Sequence, residues 1–424
     1  MKTLHSRSST NFRAVSSTFT PGAVIAFLIF AFVTLTVGIM ALPRAGRLYD
    51  FRAFYASGWL LLHNPTQLFN LSVQTAVQNI VVCPMWRGVP FYHPAYEALL
   101  YAPLTLLSYR PAYIAFVLFN LILFALCYRL APAAADPRLA RLRPVLFFLY
   151  FPAFMSIVEG QDSIVFLLLI CLFWRALSSG RDRTAGVFLA LALFKLQIAL
   201  ALLFFLAVYL PSSRRTRLLL SWLPSTAAVG LTCLLITGPR GMADWLRLIA
   251  SSSIASHESH HVQAVIAVYP KAMPTLNGLL YVCGARLLPS RVSLALDVLL
   301  SVVVFVAAVY LLRKIRSQTE SLPIAFCAAL AAAILLAPHL YFYDYVLLLF
   351  PVLLLRHPLQ SLFTGLYFLL IYVSFALGGI DWFAVLAIVP ALLLLSLLTN
   401  QYSEVRRHDP LPEKVTPHPL TLLE

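Results

Sequence analysis

The stretch Gly46–Gly58 reads Gly-Arg-Leu-Tyr-Asp-Phe-Arg-Ala-Phe-Tyr-Ala-Ser-Gly and holds one carboxylate, two arginines and four aromatic side chains. It follows an apolar segment, 21–42, that is long enough to span a bilayer. A carboxylate at a membrane surface must stay hydrated, pair with a cation or serve chemistry, because burying it unpaired is costly. Asp50 therefore has two interpretations: a surface ion pair with Arg47 or Arg52, or a general base just outside the hydrocarbon.

The composition around this stretch is that of a polytopic membrane protein. Of the 424 residues, 61% are hydrophobic and only 11% are charged, whereas a soluble domain carries about 25% charged residues. The net charge of +15 is spread over the ends of apolar segments without a long basic run. Such a distribution indicates basic loops above anionic lipid, and no nucleic-acid partner is expected. The apolar segments predict an all-α fold of about a dozen transmembrane helices.

The Lys/Arg bias predicts the topology of these helices. We expect a cytoplasmic N-terminal tail over 1–20, a transmembrane domain over 21–400 and a cytoplasmic C-terminal tail over 401–424. Two large extracytoplasmic loops are expected, over 44–94 and 238–275. The segment Ala95–Ser108, broken by Pro103, predicts a short interfacial or re-entrant helix.

Two of the apolar stretches are interrupted by polar residues. Glu159–Asp162 separates the runs 144–158 and 163–177, and Lys195-Leu196-Gln197 interrupts 185–210. Arginines flank the second stretch on both sides, which predicts two half-spans with Lys195 at their tip, since a single crossing would leave one basic flank outside. Runs this short survive only within a helical bundle. The same reasoning places Asp50, Glu159, Lys195 and Asp344 on the outer side.

Six short motifs, in this order along the chain, resemble the family 87 glycosyltransferases. They are Asp50 in its loop, Phe91-Tyr92-His93-Pro94, Gly160-Gln161-Asp162-Ser163, Phe194-Lys195-Leu196-Gln197, Met273-Pro274-Thr275-Leu276-Asn277-Gly278, and Ala337-Pro338-His339 with Tyr343-Asp344-Tyr345. The chain departs from the family pattern at two places. Lys195-Leu196-Gln197 replaces a common Lys-Pro-Gln, and His93-Pro94 stands where Tyr-Pro-Pro is usual.

The resemblance implies a GT-C-like bundle with short broken or re-entrant helices. It also implies an inverting hexosyltransferase that moves a sugar, mannose in the relatives, from a polyprenyl-phosphate donor to an extracytoplasmic lipid or glycan acceptor. The expected location is the bacterial cytoplasmic membrane, with the active site on the extracytoplasmic side and both termini in the cytoplasm. The expected partners are membrane lipids and the two lipid or glycan substrates. We expect a monomer, no cofactor and no metal.

Within this resemblance, Asp50 matches the catalytic carboxylate, which removes the proton of the acceptor hydroxyl. Lys195 and His339 are the candidates for binding the donor phosphate. The candidates for contacts with the sugar or acceptor are Arg52, His93, Glu159, Gln161, Gln197, Tyr343 and Asp344. Structural alternatives stay open: Lys195 in a buried ion pair with Glu159 or Asp162, His339 as a packing residue, and Asp344 orienting Lys195.

Two other functions fit parts of the sequence. His257-Glu258-Ser259-His260-His261 satisfies the H-E-x-x-H pattern of zinc proteases, but it lies in a polar loop without an evident third ligand. Paired short spans also occur in transporters, whose sites lie near the middle of the membrane. The polar groups of this chain are predicted to lie at one face, which favours the transferase.

Overall fold

The computed structural model describes residues 19–41, 49–84, 88–134, 137–255, 268–316, 322–354, 372 and 379–408. These residues form helices and turns without a β-strand, so the all-α prediction is confirmed for them. Six of the helical stretches are long and apolar enough to cross a membrane, and four apolar helices are shorter. The chain is therefore a membrane protein, while the expected dozen transmembrane helices stay a prediction.

Sixteen helices are described. Their bounds are α1 Pro21–Ala41, α2 Tyr49–His63, α3 Leu71–Val81, α4 Ala98–Tyr101, α5 Tyr109–Leu130, α6 Pro137–Phe148, α7 Phe151–Val158, α8 Ser163–Ser178, α9 Asp182–Leu191, α10 Leu196–Tyr209, α11 Ser212–Ala255, α12 Leu276–Val282, α13 Ser290–Ile315, α14 Leu322–Leu336, α15 Leu349–Leu354 and α16 Ile388–His408. Short 3-10 turns extend several of them, notably Ala95–Glu97, Ala192–Lys195, Phe342–Leu348 and Gly379–Ala387.

The helices give the bundle an acidic end and a basic end. At the basic end Arg143 bonds to the carbonyls of Tyr128 and Ala131, just where α5 stops. At the acidic end the Tyr113 hydroxyl, near the start of α5, donates to the carbonyl of Val158 at 2.7 Å, where α7 stops. The carboxylates predicted to face outward therefore gather at the end of the bundle opposite to these arginine contacts.

The stretch Asp182–Tyr209 folds back on itself, although its 28 residues would suffice for a crossing. A straight helix of that length would separate its ends by about 40 Å. Instead, Asp182 at its start forms ion pairs with Arg214 at 2.7 Å and Arg217 at 2.8 Å, just beyond its end. The chain turns at Ala192–Lys195. The two half-spans predicted from the flanking arginines are thus present, with Lys195 at the tip.

Two predicted loops contain more helix than expected. Residues 44–94 include α2 and α3, because Phe51, Phe54 and Tyr55 of α2 are apolar side chains that pack into the core. Residues 238–275 begin with a continuation of α11, which kinks at Gly238 with φ 70° and resumes with Pro239. Only glycine adopts that angle readily, and proline suits the first turn of a helix. α16 continues past the predicted start of the C-terminal tail at 401 and ends at His408; the boundary of the tail stays a prediction.

The sidedness of the acidic end is testable by thiol labelling, after Cys83 and Cys283, the cysteines that are not buried, are replaced by serine. Thr66 and Thr216 are both exposed, and Thr216 lies beside the arginines at the basic end. In intact cells, cysteine at Thr66 should react with an impermeant maleimide, whereas cysteine at Thr216 should react only after permeabilisation. The opposite pattern would turn the acidic end towards the cytoplasm and contradict an extracytoplasmic site.

Candidate functional site

Five separate segments bring polar side chains together at the acidic end. They are the first turn of α2, the turn before α4, the junction of α7 and α8, the tip at Lys195, and the segment between α14 and α15. These segments supply Asp50, His93 with Glu97, Glu159–Ser163, Lys195, and His339 with Asp344. Residues that are distant in sequence thus form one site.

The junction of α7 and α8 depends on Gly160. Its φ is 69°, and a side chain there would collide with Phe51, whose Cβ is 2.6 Å from the place a Cβ would take. The backbone N–H groups of Gly160 and Gln161 close the end of α7 on the carbonyls of Ile157 and Ser156. This tight reversal directs Gln161 and Asp162 into the site.

Lys195 lies between two buried carboxylates. Its Nζ is 2.7 Å from Asp162 Oδ1 and 2.8 Å from Asp344 Oδ1. Asp344 also accepts a hydrogen bond from the Ser163 hydroxyl at 2.6 Å. Asp162 precedes α8 at the position of an N-cap, yet its side chain caps no backbone N–H, because its oxygens face Lys195 and His93. The predicted pair of Lys195 with Asp162 is therefore present, and so is the predicted contact with Asp344.

His93 is held by two further acidic contacts. Its Nδ1 is 2.6 Å from Glu97 Oε2 and 3.1 Å from Asp162 Oδ2. Burial alone would lower the pKa of His93, but the two carboxylates outweigh it and raise that pKa to about 10. Glu97 in turn accepts from the Tyr101 hydroxyl at 3.1 Å, and burial raises its pKa to about 7. Lys195 and His93 hold the pKa of Asp162 well below its usual range despite burial.

Asp50 lies in the same site, and among the described residues it forms no ion pair of this kind. Burial raises its pKa to about 6, while a hydrogen bond from the Gln161 side chain and the charge of Lys195 oppose that rise. Glu159 is its acidic neighbour, and burial and the charge of Asp50 raise the pKa of Glu159 to about 7. A partly buried carboxylate with a pKa near 6 is ionised at neutral pH and still basic enough to take a proton.

His339 lies at the edge of this cluster. Its ring centroid is 5.2 Å from that of Tyr92 and 5.0 Å from that of Tyr341. Burial, together with the charges of His93 and Lys195, lowers its pKa to about 3. Its imidazole is consequently neutral at pH 7. A neutral imidazole can still donate one N–H to a phosphate, but it brings no charge.

Three other predicted residues have contacts that constrain their roles. Gln197 donates from Nε2 to the carbonyl of His339 at 2.7 Å and so holds that segment in place. The Tyr343 ring centroid is 5.8 Å from Lys195 Nζ. Arg52 is fully buried. Its guanidinium donates to Gln78, Asn79 and the carbonyl of Cys83, at 2.8–2.9 Å, which fastens α2 to α3. A contact of Arg52 with the sugar stays a prediction.

Two parts of the sequence-based interpretation lie outside the described residues. Arg47, one of the cations considered for Asp50, belongs to 42–48, and the His257–His261 motif belongs to 256–267. The structure therefore does not test the zinc-protease interpretation of that motif.

The sequence analysis did not select Glu97 and Asp162 as site residues. Glu97 had a signal: it is an acidic residue within an apolar segment, four residues after His93, a spacing that brings side chains together on a helical turn. Asp162 belonged to a quoted motif and was named only as a possible ion-pair partner of Lys195. Only the fold reveals that Asp162 bridges both cations.

The geometry of three of these side chains would also suit a metal ion. His93, Glu97 and Asp162 bring one ligand atom each within 4.8 Å of one another, and imidazole with two carboxylates is a common donor set. Asp162 already carries the ammonium of Lys195, however, and Nδ1 of His93 already bridges both carboxylates. A cation would have to displace these ion pairs. The expectation that no metal is needed stays a prediction.

Comparison with known protein families matches this chain to Glycosyltransferase family 87 over residues 91–338, more than half of its length. The matched range contains His93, Glu97, Asp162 and Lys195; Asp50 lies before it and His339 directly after it. No curated protein and no solved structure matches the chain.

Proposed function

Because the chain belongs to glycosyltransferase family 87, we propose that it transfers a hexose from a polyprenyl-phosphate sugar to a lipid or glycan acceptor. The proposed sugar is mannose, and the proposed side of the membrane is the extracytoplasmic one. The enzyme class follows from the family; the donor, the sugar and the acceptor are our proposal. The observation that carries it is the placement of Asp50, a carboxylate with a pKa of about 6, beside the Lys195 cluster.

The reaction needs a base on one side of the sugar and a phosphate site on the other. Asp50 takes the proton of the acceptor hydroxyl, whose oxygen forms the new bond to the anomeric carbon. The bond between that carbon and the phosphate oxygen breaks, and the lipid phosphate leaves with the electron pair. Attack from the face opposite to the phosphate inverts the anomeric centre. A positioned base of this kind contributes roughly 10²- to 10⁴-fold to the rate.

The departing phosphate needs electrostatic stabilisation. The ammonium of Lys195 has three N–H donors, of which two face Asp162 and Asp344. The third can reach a phosphate oxygen, and the neutral His339 imidazole can add one N–H. Apolar side chains exposed on α11 and α13, such as Leu235 and Val303, are suited to contact lipid tails.

The proposal is tested by reconstituting the purified chain in liposomes with a radiolabelled polyprenyl-phosphate mannose. Transfer of label to a membrane-lipid or glycan extract is the expected result, with polyprenyl-phosphate glucose as the comparison. Transfer from glucose alone would change the sugar. Transfer from a nucleotide sugar, with none from either lipid donor, would contradict the donor class.

The pKa of Asp50 gives an expected pH profile. The base must be ionised to accept a proton, so kcat/KM should rise with pH and level off above about 6. Gln161→Met removes the hydrogen bond that holds this pKa down, and should move the acidic limb to higher pH. Glu159→Gln is the matched control, since it removes a neighbouring carboxyl whose pKa, about 7, also lies close to neutrality. If Glu159→Gln moved the limb and Gln161→Met did not, Glu159 would be the titrating group.

Chelator should leave sugar transfer intact. The cation requirement at the cluster is already met by Lys195 and His93, which face its three carboxylates. The measurement is transfer in EDTA, followed by readdition of Mg²⁺, Mn²⁺ or Zn²⁺. Loss of transfer in EDTA that one of these ions restores would instead indicate a metal enzyme, and Glu97→Gln and His257→Ala would then show which group of ligands binds it.

A further inference from the structure

We propose that His93 is a charged donor to the phosphate of the lipid substrate, and that Glu97 and Asp162 maintain its charge. This inference rests on the proposed function, because it assigns a residue to the donor phosphate of that reaction. It also replaces the sequence-based assignment of His93 to the sugar or acceptor.

The contacts of the His93 ring leave one nitrogen directed away from the acidic groups. Both carboxylates contact Nδ1, at 2.6 Å for Glu97 and 3.1 Å for Asp162. Nε2 lies on the other side of the same ring, so its N–H points away from them. The His93 side chain is 17% exposed, against 6% for Lys195. Of the two cations, His93 is therefore the more accessible.

Aromatic side chains fix the plane of this ring. Phe91 and Phe194 lie nearly parallel to it, with centroids 5.7 Å and 6.4 Å away. Phe54 presents a perpendicular ring at 5.3 Å. The faces of aromatic rings favour a cation. The ring is thus held in one orientation as an imidazolium, and binding a ligand requires little reorganisation.

Lys195 and His339, the other phosphate candidates, lie near His93. The charges of His93 and Lys195 both lower the pKa of His339, and both oppose the rise of the pKa of Asp50. The two cations therefore lie near the same base and the same neutral imidazole. Asp162, which contacts both cations, fixes the distance between them.

The net charge of the cluster explains why an accessible N–H is needed. His93 and Lys195 face three carboxylates, those of Glu97, Asp162 and Asp344, so the fully ionised cluster has no excess positive charge. Such a cluster attracts a phosphate only where an N–H points away from the carboxylates and towards the ligand. Glu97, with a pKa of about 7, can also take up a proton when the phosphate binds.

The test compares the affinity of the purified full chain in nanodiscs for undecaprenyl phosphate and for undecaprenol. His93→Gln should weaken binding of the phosphate lipid about tenfold or more, since a charge-assisted hydrogen bond contributes at least the free energy of one factor of ten. Binding of the alcohol should not change. His93→Tyr, which keeps an aromatic ring beside Phe91 and Phe194, should show the same loss. His63→Gln is the control, because His63 is exposed and stacks on Trp59.

Loss of the His93 N–H could weaken phosphate binding directly, or only because it leaves the Glu97 carboxylate without its cation. A double variant separates these two causes. In His93→Gln with Glu97→Gln, no uncompensated Glu97 carboxylate remains, and phosphate binding should stay weak. Full recovery in the double variant would overturn the proposal, as would unchanged phosphate binding in His93→Gln or His93→Tyr with a native unfolding temperature. If the wild type bound both lipids equally, the proposed donor would be wrong together with the role of His93. If the wild type strongly preferred the phosphate lipid and the His93 variants bound it equally well, only the role of His93 would be refuted.

Discussion

Replacement of Lys195 by methionine is expected to destabilise the folded protein and to abolish efficient use of the donor. The methionine fills a similar volume but leaves Asp162 and Asp344, which lie 2.7 Å and 2.8 Å from Nζ, without their shared cation. Removing one partner of a buried ion pair costs about 3–5 kcal/mol, a large part of the roughly 5–15 kcal/mol that stabilises a typical protein. The unfolding temperature in detergent should fall accordingly.

The effect on the donor is separable from this loss of stability. Asp344→Asn in the Lys195→Met background removes one of the two stranded carboxylates, and it should restore part of the stability. It should not restore KM for the donor, because the N–H of Lys195 that faces the phosphate is still missing. We expect KM for the polyprenyl-phosphate sugar to stay at least about tenfold raised in the double variant, with KM for the acceptor little changed. Recovery of both stability and donor KM would give Lys195 a purely structural role.

The sequence predicted the placement of Lys195 because the rule behind it is local and strong. Basic residues flank 182–209 on both sides, and the positive-inside rule then requires the chain to return to the side it came from. The Asp182 pairs with Arg214 and Arg217 show that it does. The reversal of the chain at Gly160 could also be predicted from the sequence, since the polar residues Glu159–Asp162 separate two apolar runs.

The partners of the charged groups were harder to predict. Sequence reasoning offered Arg47 and Arg52 as possible partners of Asp50 because they are its neighbours, but residues two apart on a helix, such as Asp50 and Arg52, point in different directions. Arg52 lies towards α3, where Gln78 and Asn79 bind it, while Asp50 lies near Gln161 of a different helix junction. Such contacts depend on how α2 packs against α3, α5 and the α7–α8 junction, which no periodicity encodes.

The helical content of the two long loops was missed for a related reason. Both α2 and the second part of α11 contain polar residues among their apolar ones, so neither resembles a membrane span. In α2 the aromatic residues face the core, and Gly58 allows the backbone of Tyr101 to approach closely. Helices of such mixed composition are stabilised by tertiary packing, and a search for membrane spans overlooks them.

The second large effect is expected for Asp50→Asn: turnover should fall by at least about 10²-fold while the protein folds and binds the lipid donor as before. Asparagine keeps the size of the side chain and an oxygen that can accept the hydrogen bond from Gln161. It cannot take up a proton at neutral pH. Among the described residues Asp50 forms no ion pair of the kind that joins Asp162 to Lys195. With respect to these residues the change strands no buried charge, and the unfolding temperature should stay close to that of the wild type.

Two other carboxylates serve as matched controls for this variant. Asp344→Asn weakens the contacts with Lys195 and Ser163, so its main effect should be on stability and donor KM. Glu159→Gln removes the acidic neighbour of Asp50 and should cost less turnover than Asp50→Asn, since the base itself remains. The decisive comparison is kcat of folded protein at saturating donor. An active Asp50→Asn variant beside an inactive Asp344→Asn or Glu159→Gln variant would transfer the role of base to that residue, because only the group that accepts the proton is indispensable once both substrates are bound.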